Sequence, residues 1–191
     1  MNEPEEYMLT LDTPRLHLRP WTPEDYAPFR ALNADPQVMR FFPACLSAAE
    51  SDAMADEIIR RFERQKVFGL WVAEEKSSGE FTGFVGLNIP SAPFDFSPCT
   101  EIGWRLAKRF HGKGYATEAA NAVLHHAFMT LNMPEIVAFT AKVNLPSERV
   151  MVKAGMQYQR EFLHPSLEQG HPLQTHVLYK ITQADYRARQ S

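Results

Sequence analysis

A strand that runs through a glycine-bearing turn straight into a helix is the feature that most limits how this chain can fold. Residues 100–116 read as such a unit. Thr100 to Leu106 is rich in β-formers, and a helical pattern starts at about Ala116. Between them stands Arg109-Phe110-His111-Gly112-Lys113-Gly114-Tyr115-Ala116. Glycine permits positive φ and close approach to a ligand, so successive amide N–H groups can converge on one anion. The helix behind the turn adds unsatisfied N–H groups and the positive end of its dipole. Arg105, Lys108, Arg109 and Lys113 place four cations within nine residues, with no acid among them. These features together read as an anion cradle for a phosphate-bearing ligand. The plainer alternative is a solvated basic loop whose glycines only form the turn.

Two common phosphate loops do not fit. The nucleoside-triphosphate loop needs G-x-x-x-x-G-K-[ST], but Lys113 is followed by Gly114 and no first glycine stands at the required distance. The dinucleotide fingerprint G-x-G-x-x-G needs a third small residue where Thr117 stands, and an opening βαβ unit that this late position does not provide. The nature of the anion has to come from the flanking elements.

Arg15-Leu16-His17-Leu18-Arg19 alternates polar and apolar residues as a half-buried strand does, and Pro20 ends it. Thr22, Pro23 and Asp25 form a capping signal for a helix running to about Asn33. Ser47 and Glu50 repeat it for a longer helix, about Ala48 to Gln65, with Met54, Ile58, Ile59 and Phe62 at helical spacing. Phe68 to Glu74 and Phe81 to Ile89 read as an antiparallel hairpin around Lys76-Ser77-Ser78-Gly79. Three prolines make Pro90 to Pro98 a loop. After the cradle come a helix from about Ala116 to Thr130, a strand at Ile136 to Thr140, and a short helix from about Pro146 to Ala154 stopped by Gly155. Strands near Gln157 to Leu163 and Leu173 to Ile181 close the chain. The order β-α-α-β-β-β-α-β-α-β-β predicts an α/β (α+β) architecture, a mixed sheet with helices on its faces.

The 191 residues suit a single domain over 1–191. A net charge of −3 gives no general attraction to nucleic acid or to anionic membrane, so neither is expected as a partner. Cys45 and Cys99 are too few for a disulfide framework and fit a reducing cytoplasm. Met1 to Tyr7 carries three glutamates and lacks signal-peptide character, and no apolar run approaches a membrane span. His125 and His126, the close histidine pair, point in directions about 100° apart on a helix, so no metal site is expected.

The signature Q/R-x-x-G-x-G/A of the GNAT superfamily of N-acetyltransferases, at the end of its fourth strand and the start of the next helix, is filled by Arg109, Gly112 and Gly114. Glu101 to Leu106 with Gly112 to Ala119, the opening Thr13 to Arg19, and Asn144 to Met156 resemble the branch of RimJ- and RimL-type acetyltransferases of ribosomal-protein N-termini. The resemblance covers roughly Thr13 to Lys180 and implies a GNAT core over about 13–180. It implies a mostly antiparallel sheet of about seven strands, split between the fourth and fifth, with acetyl-CoA lying in the split as co-substrate. On that basis the backbone of Ile102, Gly103, Trp104, Arg105 and Leu106 holds the pantetheine arm. The amides of His111, Gly112, Lys113, Gly114, Tyr115 and Ala116 hold the pyrophosphate, beside Arg109.

Direct attack of an amine on the thioester needs a neutral amine, a polarised carbonyl and a proton for the leaving thiolate. Glu101, which opens the fourth strand, is the candidate base, against the reading of a solvated strand-end acid. Many superfamily members carry a tyrosine acid seven residues beyond the asparagine, but here that position is Met151. RimL-type members instead have serine three residues after the asparagine. Ser147 therefore takes the role by resemblance, with helix capping as its competing reading. Asn144 is assigned to orienting cofactor or loop backbone, and Tyr115 is a reserve acid. Trp21, Phe41, Phe42, Phe94 and Phe96 are candidate walls of the acceptor pocket, with His164 and His171 nearby in a loop and Asp95 as a faint hint of a polycation site.

The branch implies a protein or peptide α-amine as acceptor. A small amine such as a polyamine, amino acid or amino sugar is the second reading, and a non-catalytic acyl-CoA sensor the third. The superfamily often forms homodimers.

Overall fold

A computed structural model describes residues 9–191, so the reading of Met1 to Tyr7 lies outside the described residues. One eight-stranded sheet forms the centre, in the order β1-β2-β3-β4-β5-β6-β8-β7. Its strands are β1 (Leu11–Asp12), β2 (Leu16–Arg19), β3 (Leu70–Glu75), β4 (Phe81–Asn88), β5 (Glu101–Leu106), β6 (Glu135–Ala141), β7 (Gln157–Leu163) and β8 (Thr175–Thr182). Every neighbouring pair is antiparallel except β5 and β6. Those two run parallel, a pairing that needs a crossover connection, here supplied by a helix.

Side-chain alternation sends the two faces of the sheet to different helices. Val72 and Phe84 join Phe29 and Leu32 of α1 (Tyr26–Ala34) and Ala55 and Ile58 of α2 (Ala48–Gln65) in one core. Trp71, Val85, Leu87, Ile102 and Leu106 join Ala119, Val123 and Leu124 of α3 (Tyr115–His125) in the other. Met151 of α4 (Leu145–Lys153) and Tyr186 of α5 (Gln183–Gln190) also pack into this second core. Helices therefore cover both faces, and β5 presents alternate residues to each.

The capping signals set the helix starts. Ser47 accepts from the Glu50 amide while Glu50 reaches back to the Ser47 amide at 2.9 Å, and α2 spans the residues its periodicity predicts. The Thr22–Asp25 box opens a short 3₁₀ turn, Pro23–Asp25, that leads into α1. Three features differ from the sequence expectation. A two-residue strand, β1, pairs with β2 and raises the count from about seven to eight, so the expected fourth and fifth strands are β5 and β6. The helix expected to reach Thr130 loosens into a π-helical turn over His126–Thr130. Finally, α5 follows β8 without a break, capped by Thr182 and Asp185, a box the strand-forming run before it obscures.

Candidate active site

The split between β5 and β6 opens at Glu101. That residue is in register with Val137, and the Val137 amide donates to the Thr100 carbonyl at 3.0 Å. No further register pair links the two strands among the described residues, whereas β5 stays paired to β4 over its whole length. The gap continues into a cleft of about 950 Å³. Glu101, Ile102, Gly103, Trp104, Arg105 and Leu106 line it from β5, and Asn144 and Ser147 line it from the start of α4.

At its far end lies the glycine turn. Gly112 and Gly114 hold φ of 75° and 79°, the left-handed region that glycine tolerates and other residues resist. Gly114 caps α3, whose first bond runs from the Glu118 amide to the Gly114 carbonyl at 3.0 Å. The amides of Tyr115, Ala116 and Thr117 precede that bond and face no helical acceptor. A Cβ on Gly112 would meet nothing within 4 Å, so the space before the turn is open. His111 also lines the cleft, its Nε2 held 2.7 Å from the Leu106 carbonyl. This geometry fits a pyrophosphate held by backbone amides at a helix N-terminus.

The two candidate acid–base residues both line the cleft. The Glu101 carboxyl is pushed up to about 7 by burial, with Arg61 pulling weakly the other way. A carboxyl poised there exchanges protons readily near neutral pH. Ser147 does not cap α4. Asn144 does, accepting from the Ser147 amide at 3.3 Å, while its Nδ2 donates to Ser147 Oγ at 3.1 Å and to Thr140 Oγ1 at 2.9 Å. The Ser147 hydroxyl is therefore an acceptor in this network, and among the described residues no side chain or carbonyl takes its own proton.

Other expected residues separate into those at the cleft and those away from it. Phe41 and Phe42 line it. Trp21 instead enters the core, stacking edge-on against Phe29 at 4.9 Å and donating to the Leu70 carbonyl at 2.8 Å. Phe94 and Phe96 pin the proline-rich loop to Phe139 of β6 and Phe162 of β7, with centroids 4.9 and 5.1 Å apart in the Phe94–Phe139 and Phe96–Phe162 pairs. His164 lines the cleft, whereas the His171 ring accepts from the Leu173 amide at 3.0 Å as a loop residue. Asp95 pairs with Arg160 at 2.6 Å on the exterior. Tyr115 also lines the cleft, and its hydroxyl donates to Glu75.

A split parallel pair beside a glycine-built cradle is the arrangement of a known family, and comparison bears this out. Residues 15–157 match the Acetyltransferase (GNAT) domain. The chain belongs to the GNAT acetyltransferase family. The FsC-acetyl coenzyme A-N(2)-transacetylase of Aspergillus fumigatus is 30% identical over 93% of this chain and 77% of its own length. An acetyltransferase from Agrobacterium tumefaciens superposes with a TM-score of 0.74 at 25% identity, covering 95% of this chain and 98% of that one. Mycobacterium smegmatis RimJ in complex with CoA-disulfide shares the fold with a TM-score of 0.72 at 20% identity, covering 97% of this chain and 96% of that one. The protein is an acetyl-CoA-dependent acetyltransferase whose acceptor is an amine.

Two features of this GNAT enzyme's site escape sequence reasoning. Glu118, in the first turn of α3, accepts from Thr13 Oγ1 at 2.6 Å, the Arg15 amide at 3.0 Å and Arg15 Nε at 2.8 Å. Burial alone would raise its carboxyl, but these hydrogen bonds outweigh it and leave Glu118 below the usual range. Arg15 also donates to the Lys113 carbonyl at 2.8 Å, so the Thr13–Arg15 segment clamps the cradle from a hundred residues away. The signal existed, since Thr13, Arg15 and Glu118 all fall in matched segments. His176 of β8 is the second, lining the cleft 4.8 Å from the His164 ring and pushed down to about 4 by burial and by that neighbour. Arg109, expected beside the pyrophosphate, instead lies outside the lining of the cleft and pairs with Glu80 at 3.1 Å.

Proposed function

We propose that this enzyme acetylates the N-terminal α-amine of a protein or peptide by direct attack in a ternary complex, as a member of the RimJ/RimL branch. The observation that carries the reading is Glu101, a carboxyl raised to about 7 at the mouth of the split. An α-ammonium group, at about 7.7–8.0, gives up its proton to such a base far more easily than a lysine ammonium at about 10.4. The three matched segments, in order along the chain, support the branch.

In this scheme acetyl-CoA, when bound, supplies an activated thioester acyl group. The amides of Gly112 to Ala116 bind the pyrophosphate, and the free edge of β5 from Ile102 to Leu106 orients the pantetheine arm. Glu101 takes the ammonium proton, directly or through water, and the freed lone pair then forms the N–C bond, the nitrogen shedding its second proton to solvent as the amide forms. Ser147, positioned by Asn144, gives its proton to the departing sulfur as the C–S bond breaks and recovers it from solvent. On the same reading the protein works in the cytoplasm, with neither nucleic acid nor membrane as a partner.

A specific observation favours one second reading. The relative from Aspergillus fumigatus is named for N(2) transacetylation, which supports a small-molecule amine as acceptor. The test is an acceptor panel of peptides with free Ala, Ser and Thr N-termini, polyamines, amino acids and amino sugars, read by a mass shift of one acetyl group. Peptide acetylation confined to the N-terminus is the expected result, and Ser147→Ala slows it about tenfold or more with acetyl-CoA affinity intact. Tight acetyl-CoA binding without turnover of any acceptor would instead mark a sensor.

A further inference from the structure

The acetyl-transfer reading uses the backbone of Arg105 and leaves its side chain without a task. That side chain leaves β5 on the face shared by Glu101 and Gly103 and runs toward α1 and α2. Its Nη1 donates to Asn33 Oδ1 at 2.6 Å, and Asn33 is itself fixed by donating to Ser51 at 3.0 Å. The guanidinium lies 4.3 Å from the Phe42 ring centre and 5.4 Å from that of Phe84, and Nη1 is 3.7 Å from the Met54 sulfur. Among the described residues no carboxylate pairs with it, and its Nε is buried without a hydrogen-bond partner. Burial alone pushes the group down to about 10, so it remains a cation at neutral pH.

A purely structural role fits poorly. Arg19, also partly buried, shows how this fold satisfies an arginine that holds elements together, with Asp25 at 2.8 Å and Glu74 at 2.6 Å. An enclosed guanidinium without a counterion is costly, and its planar fork is matched to a carboxylate. The cleft it faces is lopsided in charge. Glu101 is the one carboxylate lining it among the described residues, against Arg40, Arg105, Lys108, Arg149 and Lys153. Gly103 leaves a trough between Glu101 and Arg105, since a Cβ there would have only Glu101 Oε1 within 4 Å, at 3.6 Å. At roughly 3.3 Å per strand residue the two Cα atoms are about 13 Å apart. A ligand reaching both groups holds its amine and its anion several bonds apart.

We propose that Arg105 is the specificity residue of the acceptor site, holding a carboxylate of the same molecule whose amine meets Glu101. The inference rests on the acetyl-transfer reading and narrows it to an amine that carries a carboxylate several bonds away. A peptide N-terminus followed by an acidic residue presents that chemistry, and so does a free dipeptide. A polycation does not.

Matched acceptors test it through thiol release from acetyl-CoA. Alanyl-glutamate amide against alanyl-glutamine amide forms the peptide arm, and glycylglycine against glycylglycinamide the small-molecule arm. The acid member is expected to lead by about tenfold or more in kcat/KM, mainly through KM, as a charge-assisted bidentate contact gives. Whichever arm shows the lead identifies the source of the carboxylate. Arg105→Gln is expected to bring the ratio near one, and Arg105→Lys to keep part of it, with calorimetric acetyl-CoA binding confirming that each variant is folded. Equal rates for acid and amide in both arms, or a preference that survives Arg105→Gln, overturn the proposal. If no acceptor is turned over, the acetyl-transfer reading is what fails. Calorimetry of the CoA-loaded protein with the N-acetylated dipeptides then decides this inference: tighter binding of the acid only when Arg105 is present upholds it, and equal binding overturns it.

Discussion

The two ends of the cleft are built by opposite means. The cradle end is backbone: consecutive residues from Gly112 to Thr117 present amides, two of them glycines at positive φ. The other end is side chains, with Arg105 held by Asn33 of α1, Phe42 of the loop after it and Met54 of α2, while Glu101 stands four residues before Arg105. A backbone site tolerates changes of charge around it and fails when the backbone is bent. A side-chain site tolerates small backbone shifts and fails when one group is replaced. Arg105 and Arg109, four residues apart, show the contrast, one enclosed without a counterion and the other paired with Glu80 on the outside.

The largest effect is expected at the side-chain end. Glu101→Gln should lower kcat/KM by about 10²–10⁴, the range of a lost general base. In the native enzyme kcat/KM should fall as pH drops through about 7, because the base is active only as the carboxylate, and the variant should lose that limb. Stability moves the other way. The folded-state pKa is raised, so the stabilising contribution of the protonated carboxyl is complete below its ordinary value of 4.5 and is lost as pH rises through about 7. Thermal melts should therefore find Glu101→Gln more stable than the native chain above pH 7, with the gap closing near pH 4.5. A pH-independent difference would mean that Glu101 is a solvated strand-end acid.

Next comes the backbone end. Gly112→Val puts a β-branched residue at φ 75°, where a side chain costs about 1–2 kcal/mol. Its Cβ meets no protein atom within 4 Å, so the fold accommodates it and the obstruction falls on the ligand. Titration calorimetry should show acetyl-CoA affinity reduced by about 10–100-fold, tenfold corresponding to 1.4 kcal/mol. A large fall in melting temperature with unchanged affinity would make the glycine a turn former only.

The same division decides what could be read from the sequence. The cradle is contiguous, and φ preference, glycine spacing and helix order all lie within it, so Gly112 and Gly114 are legible. Helix starts were legible for the same reason, each being set within four residues, as at Ser47 and Glu50. The capping rule went astray at Ser147 because the true cap, Asn144, stands three residues earlier, before Leu145-Pro146. Side-chain sites draw on distant segments: Asn33 lies 72 residues before Arg105, and Thr13 lies 105 before Glu118. Whether Arg105 meets a carboxylate depends on how α1 and α2 pack over the sheet, and no local pattern contains that. β1 leaves no sequence signal, since two residues show no periodicity.

The smallest effect sharpens the comparison most. Arg109 fills the first position of the family signature, which invites a role in gripping phosphate. Its guanidinium is instead exposed, packs 4.8 Å from the Phe110 ring centre and pairs with Glu80 at 3.1 Å, outside the lining of the cleft. An exposed ion pair contributes about 0–1 kcal/mol. Arg109→Ala should therefore change acetyl-CoA affinity by less than about fivefold in calorimetry at physiological salt. A loss of a hundredfold would show that the side chain swings from Glu80 to the ligand on binding, and would make the cradle a mixed site. A small loss would leave the turn, and not its charge, as what recognises the pyrophosphate. Glu80→Gln separates the two cases, since freeing the arginine should tighten binding only if it is recruited.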